Sequence, residues 1–287
     1  MLERILNNRF LVLYISPFCL GLMAVLSFQP FNLSFINFIS FPIFFFLVVY
    51  VKKKSQSVYR KKPYRKNLFL LGLLFGFGFY LSGIFWISFS LTFDKNFIFL
   101  IPFAVILIPL FLALFTGLTI LLVGQFLSYN FTSILLFAGS MAFSDYVRGK
   151  ILTGFPWNVW GYSWSWLTEV LQVLNLIGLF SFNLLVITIF TLPALMFFRI
   201  TRIKKFTIFG LSFFFIFLTY IYGTFIINKN KGLLNYVNEK NKVYIKVISP
   251  NFELKYYSSA EEIKKKLKQL TRYGDPDPDK NTIFLWP

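Results

Sequence analysis

The chain has 287 residues, of which 57% are apolar, 22% aromatic and 14% charged, with a formal net charge of +18. Soluble domains are usually about 25% charged, and the fraction of surface a fold buries rises too slowly with size for a soluble core to absorb this much apolar area, so a purely soluble fold is excluded and lipid has to cover the remainder. With no histidine, these residues hold no Ser-His-Asp or Cys-His nucleophile and no His-rich metal site, and with one cysteine, Cys19, no internal disulfide.

A membrane helix needs about 20 mostly apolar residues. Apolar runs of that order lie at Phe10–Phe28, Phe35–Val51, Leu68–Leu91, Phe97–Leu127, Phe131–Val147, Val170–Phe198 and Phe206–Ile227. The first follows basic residues, as in a signal peptide, but no small-residue cleavage site comes after it, so it is read as a retained helix, with Cys19 buried within it. The fourth carries Pro102 and Pro109 and is expected to kink there. The fifth is short and ends in Asp145 and Arg148. Their i, i+3 spacing allows a pair on one helix face, read as solvated at the membrane interface.

The basic residues fix an orientation. From Met1 to Ile227 there are 17 Lys and Arg, and 14 of them fall before the first run, after the second or after the sixth. With seven spans these three clusters share one side, which is then cytoplasmic. The opposite side receives only Lys95, Arg148 and Lys150. This is the charge pattern of membrane topology, not of a nucleic-acid-binding face.

Between the fifth and sixth runs lies Thr153-Gly-Phe-Pro-Trp-Asn-Val-Trp-Gly-Tyr-Ser-Trp-Ser-Trp166, with four of the six tryptophans. One reading is an aromatic belt at headgroup level. The other is a lipid-facing lip or re-entrant loop lining a cavity, which Gly154, Pro156 and Gly161 favour because they disrupt a regular helix.

From Asn228 the composition changes, with 12 Lys and Arg against 7 Asp and Glu in the remaining residues. The chain is therefore divided into a helical membrane domain, residues 1–227, and a soluble part, residues 228–287. Val243–Ile248 reads as a strand. Ser258-Ser-Ala-Glu261 reads as a capping box opening a helix with Ile263, Leu267 and Leu270 on one face. Gly274 and the Asp-Pro-Asp-Pro run end that helix, and Thr282–Trp286 reads as a second strand. Strand, helix, strand over this length implies a parallel βαβ unit. One such unit cannot cover both faces of its sheet, so it is expected to open a larger α/β domain.

Three segments occur in order: Gly76-Phe-Gly-Phe-Tyr-Leu-Ser-Gly-Ile-Phe-Trp-Ile87, Thr153-Gly-Phe-Pro-Trp-Asn158 with Gly161-Tyr-Ser163, and Phe284-Leu-Trp-Pro287. Together they resemble the apolipoprotein N-acyltransferases, bacterial inner-membrane enzymes of lipoprotein maturation, and the likeness extends over essentially the whole chain. The resemblance implies a polytopic helical protein of about seven spans, with a cytoplasmic N-terminus, followed by the start of a periplasmic nitrilase-like α/β domain. It also implies a Glu-Lys-Cys triad that takes an acyl chain from a phospholipid as a thioester and passes it to the N-terminal amine of a diacylglyceryl-cysteine apolipoprotein. No cofactor or metal is implied.

On this resemblance the triad Glu is expected directly after Pro287, with the Lys and Cys further on. No catalytic residue is then expected among these residues, and the chain alone is expected to be inactive. Trp157 of the loop is the first substrate-binding candidate. Tyr256 is the second; it follows Lys255 where the family often has a tryptophan. A membrane transporter or channel is the alternative from the span pattern alone, and an amidase with another substrate is the alternative for a nitrilase-like domain.

The orientation has a direct test. In a Cys19→Ser background, an impermeant thiol reagent added to intact spheroplasts is expected to label Lys264→Cys and to leave Arg60→Cys untouched; equal labelling of the two would overturn the seven-span orientation.

Overall fold

The computed structural model describes residues 8–58, 63–152, 154–240, 244–252, 257–277 and 281–285. The chain divides into two compact units, Met1–Ser88 with Ile101–Thr224, and Phe89–Leu100 with Phe225–Pro287.

Each of the seven apolar runs is helical. The first is α1, Ser16–Ala24, extended by a π turn at Leu11–Ile15 and a 3-10 turn at Val25–Ser27. Then come α2, Asn37–Val58; α3, Pro63–Ile84, continued as a 3-10 helix over Phe85–Phe93; α4, Ile101–Val123; and α5, Phe131–Arg148. Asn130 caps α5 by accepting the Ser133 amide at 2.8 Å.

The sixth run is broken where one long span was expected. A short helix α6, Thr168–Leu171, precedes α7, Leu174–Thr191, and within α7 Gly178 has φ 75 and ψ 168, which interrupts the helical backbone. The seventh run lies in α8, Arg202–Lys240. In α4, Pro102 sits in the first turn, where a missing N–H costs no helical hydrogen bond, and Pro109 lies in the interior.

Among the described residues, five helices are long and apolar enough to cross a membrane: Ser34–Lys54, Tyr64–Phe93, Lys95–Val123, Leu174–Phe197 and Arg202–Leu233. Leu11–Ser27 is a shorter apolar helix. Seven spans were expected, and five segments meet the requirement on length and apolarity alone. Their outward residues are large and apolar, among them Phe103, Leu107, Phe206, Leu211 and Phe213. Such a surface requires a lipid solvent, and the chain is a polytopic helical membrane protein.

The first unit packs through aromatic rings and backbone approach. Phe44 and Phe75 stack at 4.1 Å, and Phe137 meets Phe44 and Phe45 edge-on at 6.0 and 5.6 Å. Helices α1 and α3 come together at Gly21, where an added Cβ would lie 2.1 Å from the Phe75 carbonyl oxygen. Cys19, expected to be buried, is exposed on α1 because it points away from that contact.

The second unit contains the expected βαβ pattern. Strands β1, Tyr244–Val247, and β2, Thr282–Leu285, pair in parallel, Tyr244 opposite Thr282 and Val247 opposite Leu285. Helix α9, Ala260–Gly274, connects them. Its capping box is one residue later than the sequence suggested: Ser259 accepts the Glu262 amide and Glu262 accepts the Ser259 amide, both at 3.2 Å. Ser259 also has a Glu three residues on, so the motif fits either register. Of the expected apolar face, Leu270 is buried while Ile263 and Leu267 are about half exposed.

The glycine contact gives a paired test. Gly21→Ile should destabilise the protein in detergent by about 1–3 kcal/mol or more through overpacking. Gly139→Ala, at a site where an added Cβ meets nothing within 4 Å, should leave the thermal midpoint unchanged.

Candidate functional site

The Asp145–Arg148 pair is not solvated. Both side chains are buried, Arg148 almost completely, because the C-terminal turn of α5 lies against the aromatic loop and α7. Arg148 Nη2 donates to Asp145 Oδ1 at 3.1 Å. Its Nη1 donates to the carbonyl oxygens of Phe155 and, at 2.8 Å, Trp157. The guanidinium also lies over the Tyr80 ring of α3, 5.3 Å from its centroid. A buried charge persists only when paired and hydrogen-bonded, and here the carbonyls of the loop add to the carboxylate as acceptors for both Nη atoms, while Nε is left without a partner among the described residues.

Asp145 has a second partner that the sequence reading did not single out. Asn183 Nδ2 donates to Asp145 Oδ2 at 2.9 Å, and Asn183 Oδ1 accepts the Gly161 amide at 3.1 Å. The loop is thus held at Phe155 and Trp157 from one side and at Gly161 from the other. The signal available in the sequence was an amide in the middle of the apolar stretch of α7, where the other, Asn175, lies in the first turn.

The intervening backbone is tightly set. Asn158 has φ 52, a left-handed conformation that asparagine tolerates. The residue opposite it is Gly83, where an added Cβ would lie 2.3 Å from Asn158 Nδ2. The glycine-rich stretch of α3 and the aromatic loop, two separate motifs in the sequence, therefore fit against each other.

The four tryptophans of the loop divide into two roles. Trp160 is buried at the centre of the helices, stacked on Phe79 at 4.2 Å and edge-on to Phe41 at 4.7 Å. Trp164 is also buried, which rules out a simple aromatic belt for these two rings. Trp166 and Trp157 are each 50% exposed. Trp166 donates from Nε1 to Ser34 Oγ at 2.8 Å, and Ser34 Oγ donates to the Ser163 carbonyl at 2.7 Å. Trp157 lies 5.8 Å from Trp86 and stacks on Phe155 at 6.3 Å, forming an exposed aromatic ledge.

Of the two expected substrate-binding residues, Trp157 sits on this ledge. Tyr256 lies outside the described residues, as does the Trp286-Pro287 ending. The loop offers rigid amphipathic rings, two of them half exposed. Among its described residues it carries no nucleophile paired with a base.

Residues 20–192 match the family described as apolipoprotein N-acyltransferase N-terminal domain. An apolipoprotein N-acyltransferase of Brucella melitensis is 29% identical over 286 residues, covering 95% of this chain and 51% of the relative. Relatives of the same name from Rhodopseudomonas palustris and Bradyrhizobium diazoefficiens are 33% and 35% identical, each over 61% of this chain and 32% of their own length. The chain thus spans about half the length, or less, of the curated relatives it matches.

Removing the guanidinium strands a carboxylate in the protein interior. Arg148→Met is expected to lower the unfolding free energy by about 3–5 kcal/mol, measured by denaturant titration in mild detergent. Arg148→Lys, a point charge without the planar fork, should recover only part of that loss.

Proposed function

Because the chain belongs to the apolipoprotein N-acyltransferase N-terminal domain family, we propose that it forms the membrane-embedded part of an enzyme that moves an acyl chain from a phospholipid to the N-terminal amine of a diacylglyceryl-cysteine apolipoprotein. A cysteine thiolate, with a Glu as base and a Lys beside it, attacks the phospholipid ester. The ester C–O bond breaks, the lysophospholipid leaves with a proton, and a thioester remains. The acceptor amine then attacks the thioester, an amide forms and the thiol is regenerated. A thioester needs a thiol, and the one cysteine of these 287 residues is Cys19 in α1. The transfer is therefore assigned to the full-length protein and not to these residues alone.

In the same reading, all seven apolar helical segments cross the bacterial inner membrane, the N-terminus is cytoplasmic, and residues 228–287 open a nitrilase-like α/β domain on the periplasmic side. The clustering of Lys and Arg supports the orientation, and the parallel β1–α9–β2 unit supports the domain type. Trp157 and Tyr256 contact the lipid substrates.

The observation that carries the reading is the aromatic ledge formed by exposed Trp157 and half-buried Phe155, on a loop whose backbone is clamped by a buried ion pair, together with Trp86 beyond the end of α3. It lies within the stretch that the family match covers. A rigid ring surface at the membrane boundary meets acyl chains at little cost in side-chain entropy.

The test uses the full-length protein in proteoliposomes with a phospholipid donor and a diacylglyceryl lipopeptide, read by mass spectrometry. An N-acylated product is expected from the full-length protein and none from residues 1–287 alone. Trp157→Ala should lower the rate by about 2- to 10-fold, the equivalent of one lost aromatic contact. A full-length protein that leaves the lipopeptide amine free would remove the assignment.

A further inference from the structure

We propose that Asn183 is a positioning residue for the aromatic ledge, acting as the polarity link that ties the Asp145–Arg148 pair to the loop at Gly161. Its importance to catalysis rests on the reading that Trp157 meets the lipid substrates; its action on the loop does not.

The argument begins with where the amide sits. Asn183 is fully buried in α7, among Phe182, Val186 and Ile187, which are also buried. An amide in such surroundings is retained only if both of its ends find partners. Both do, and the partners leave it one orientation. The Gly161 amide can only donate, so Oδ1 must face it; the Asp145 carboxylate can only accept, so Nδ2 must face that.

The resulting circuit has a direction at every link. Arg148 donates to Asp145 and to the Phe155 and Trp157 carbonyls, Asn183 donates to Asp145, and Gly161 donates to Asn183. The loop backbone from Trp157 to Gly161 closes it into a ring. Arg148 grips one end of this stretch and Asn183 the other, with the left-handed Asn158 and the buried Val159 and Trp160 between them. Release at Gly161 leaves Trp157 held from one side only. Among the hydrogen bonds of this ring, those of Asn183 bring in α7, so a helix distant in sequence sets the pose of the exposed ring.

A directional circuit can be reversed, and this separates positioning from mere packing. Asp145→Asn alone keeps the acceptor for Arg148 but turns an N–H towards the N–H of Asn183; flipping that amide only moves the clash to Gly161. Asn183→Asp alone sets two carboxylate oxygens against each other. The double variant Asp145→Asn/Asn183→Asp restores every hydrogen bond with the same net charge: position 145 accepts from Arg148 and donates to position 183, which also accepts from Gly161.

The experiment introduces Val159→Cys as a reporter, with Cys19→Ser, into this chain in nanodiscs. Val159 is fully buried in the clamped stretch, so its thiol is protected from maleimide while the loop is held. Each single variant is expected to raise the labelling rate by about tenfold or more, the scale of a lost buried hydrogen bond, and the double variant to return it to within about threefold of the starting rate. Should the single variants fail to fold, recovery of monodisperse protein in the double variant is the same result read as yield.

Unchanged labelling in both single variants would overturn the proposal. So would a double variant that labels fast or does not fold, because the side chains would then act through volume and not polarity. In the full-length enzyme, N-acylation should follow the same loss and recovery. If labelling follows the pattern and N-acylation does not, the link stands and the role of Trp157 as a lipid contact falls.

Discussion

A guanidinium and a carboxylate enclosed by apolar helices impose the constraint on which the rest of this structure depends. Neither charge can be left unpaired where it lies, and the pair alone does not fill the hydrogen-bonding capacity of Arg148 and Asp145. The carbonyls of Phe155 and Trp157 serve the guanidinium and the amide of Asn183 serves the carboxylate. An irregular segment at membrane depth is tolerated when its polar groups are met by protein. Here the loop and the ion pair solve each other's problem, and Trp160 can enter the aromatic centre because the backbone on either side of it is fixed.

Around that centre, close backbone approach does as much as the rings. Gly21 admits the Phe75 carbonyl, Gly78 admits that of Phe18, and Gly223 admits that of Glu169. Small residues are what membrane helices use to pack when water gives no hydrophobic drive between them. The phenylalanines then fill the space between helices whose separation the glycines have set.

Much of the architecture was legible in the residues. Apolar run length located the helices, since a segment must satisfy its own backbone in lipid. In the second unit, two short apolar runs, a capping box and turn residues located two strands and a helix. The limits were local. The capping box fitted two registers, and the structure uses Ser259. Gly178 gave no sign in the sequence that it would adopt a positive φ. The candidate site was harder still. Spacing showed that Asp145 and Arg148 share a face of α5, but spacing cannot say what that face meets, so a buried pair read as a solvated one. Asn183 stood 22 residues from its partner Gly161 and 38 from Asp145. Nothing along the chain connects groups so far apart; only the packing of α5 against α7 does.

The burial of the ion pair also decides how the site responds to its medium. Mobile ions attenuate charges they can approach, over about 10 Å at 0.1 M salt. Arg148 and Asp145 lie out of their reach, behind aromatic side chains. Lys53 and Lys54 of α2 and the charged helix α9, with Lys264, Lys265 and Lys268 exposed, do not. Rising ionic strength will therefore weaken the long-range pull of these exposed charges while leaving the geometry of the loop as it is, so that the rim of the protein and its clamped centre answer to different properties of the solution.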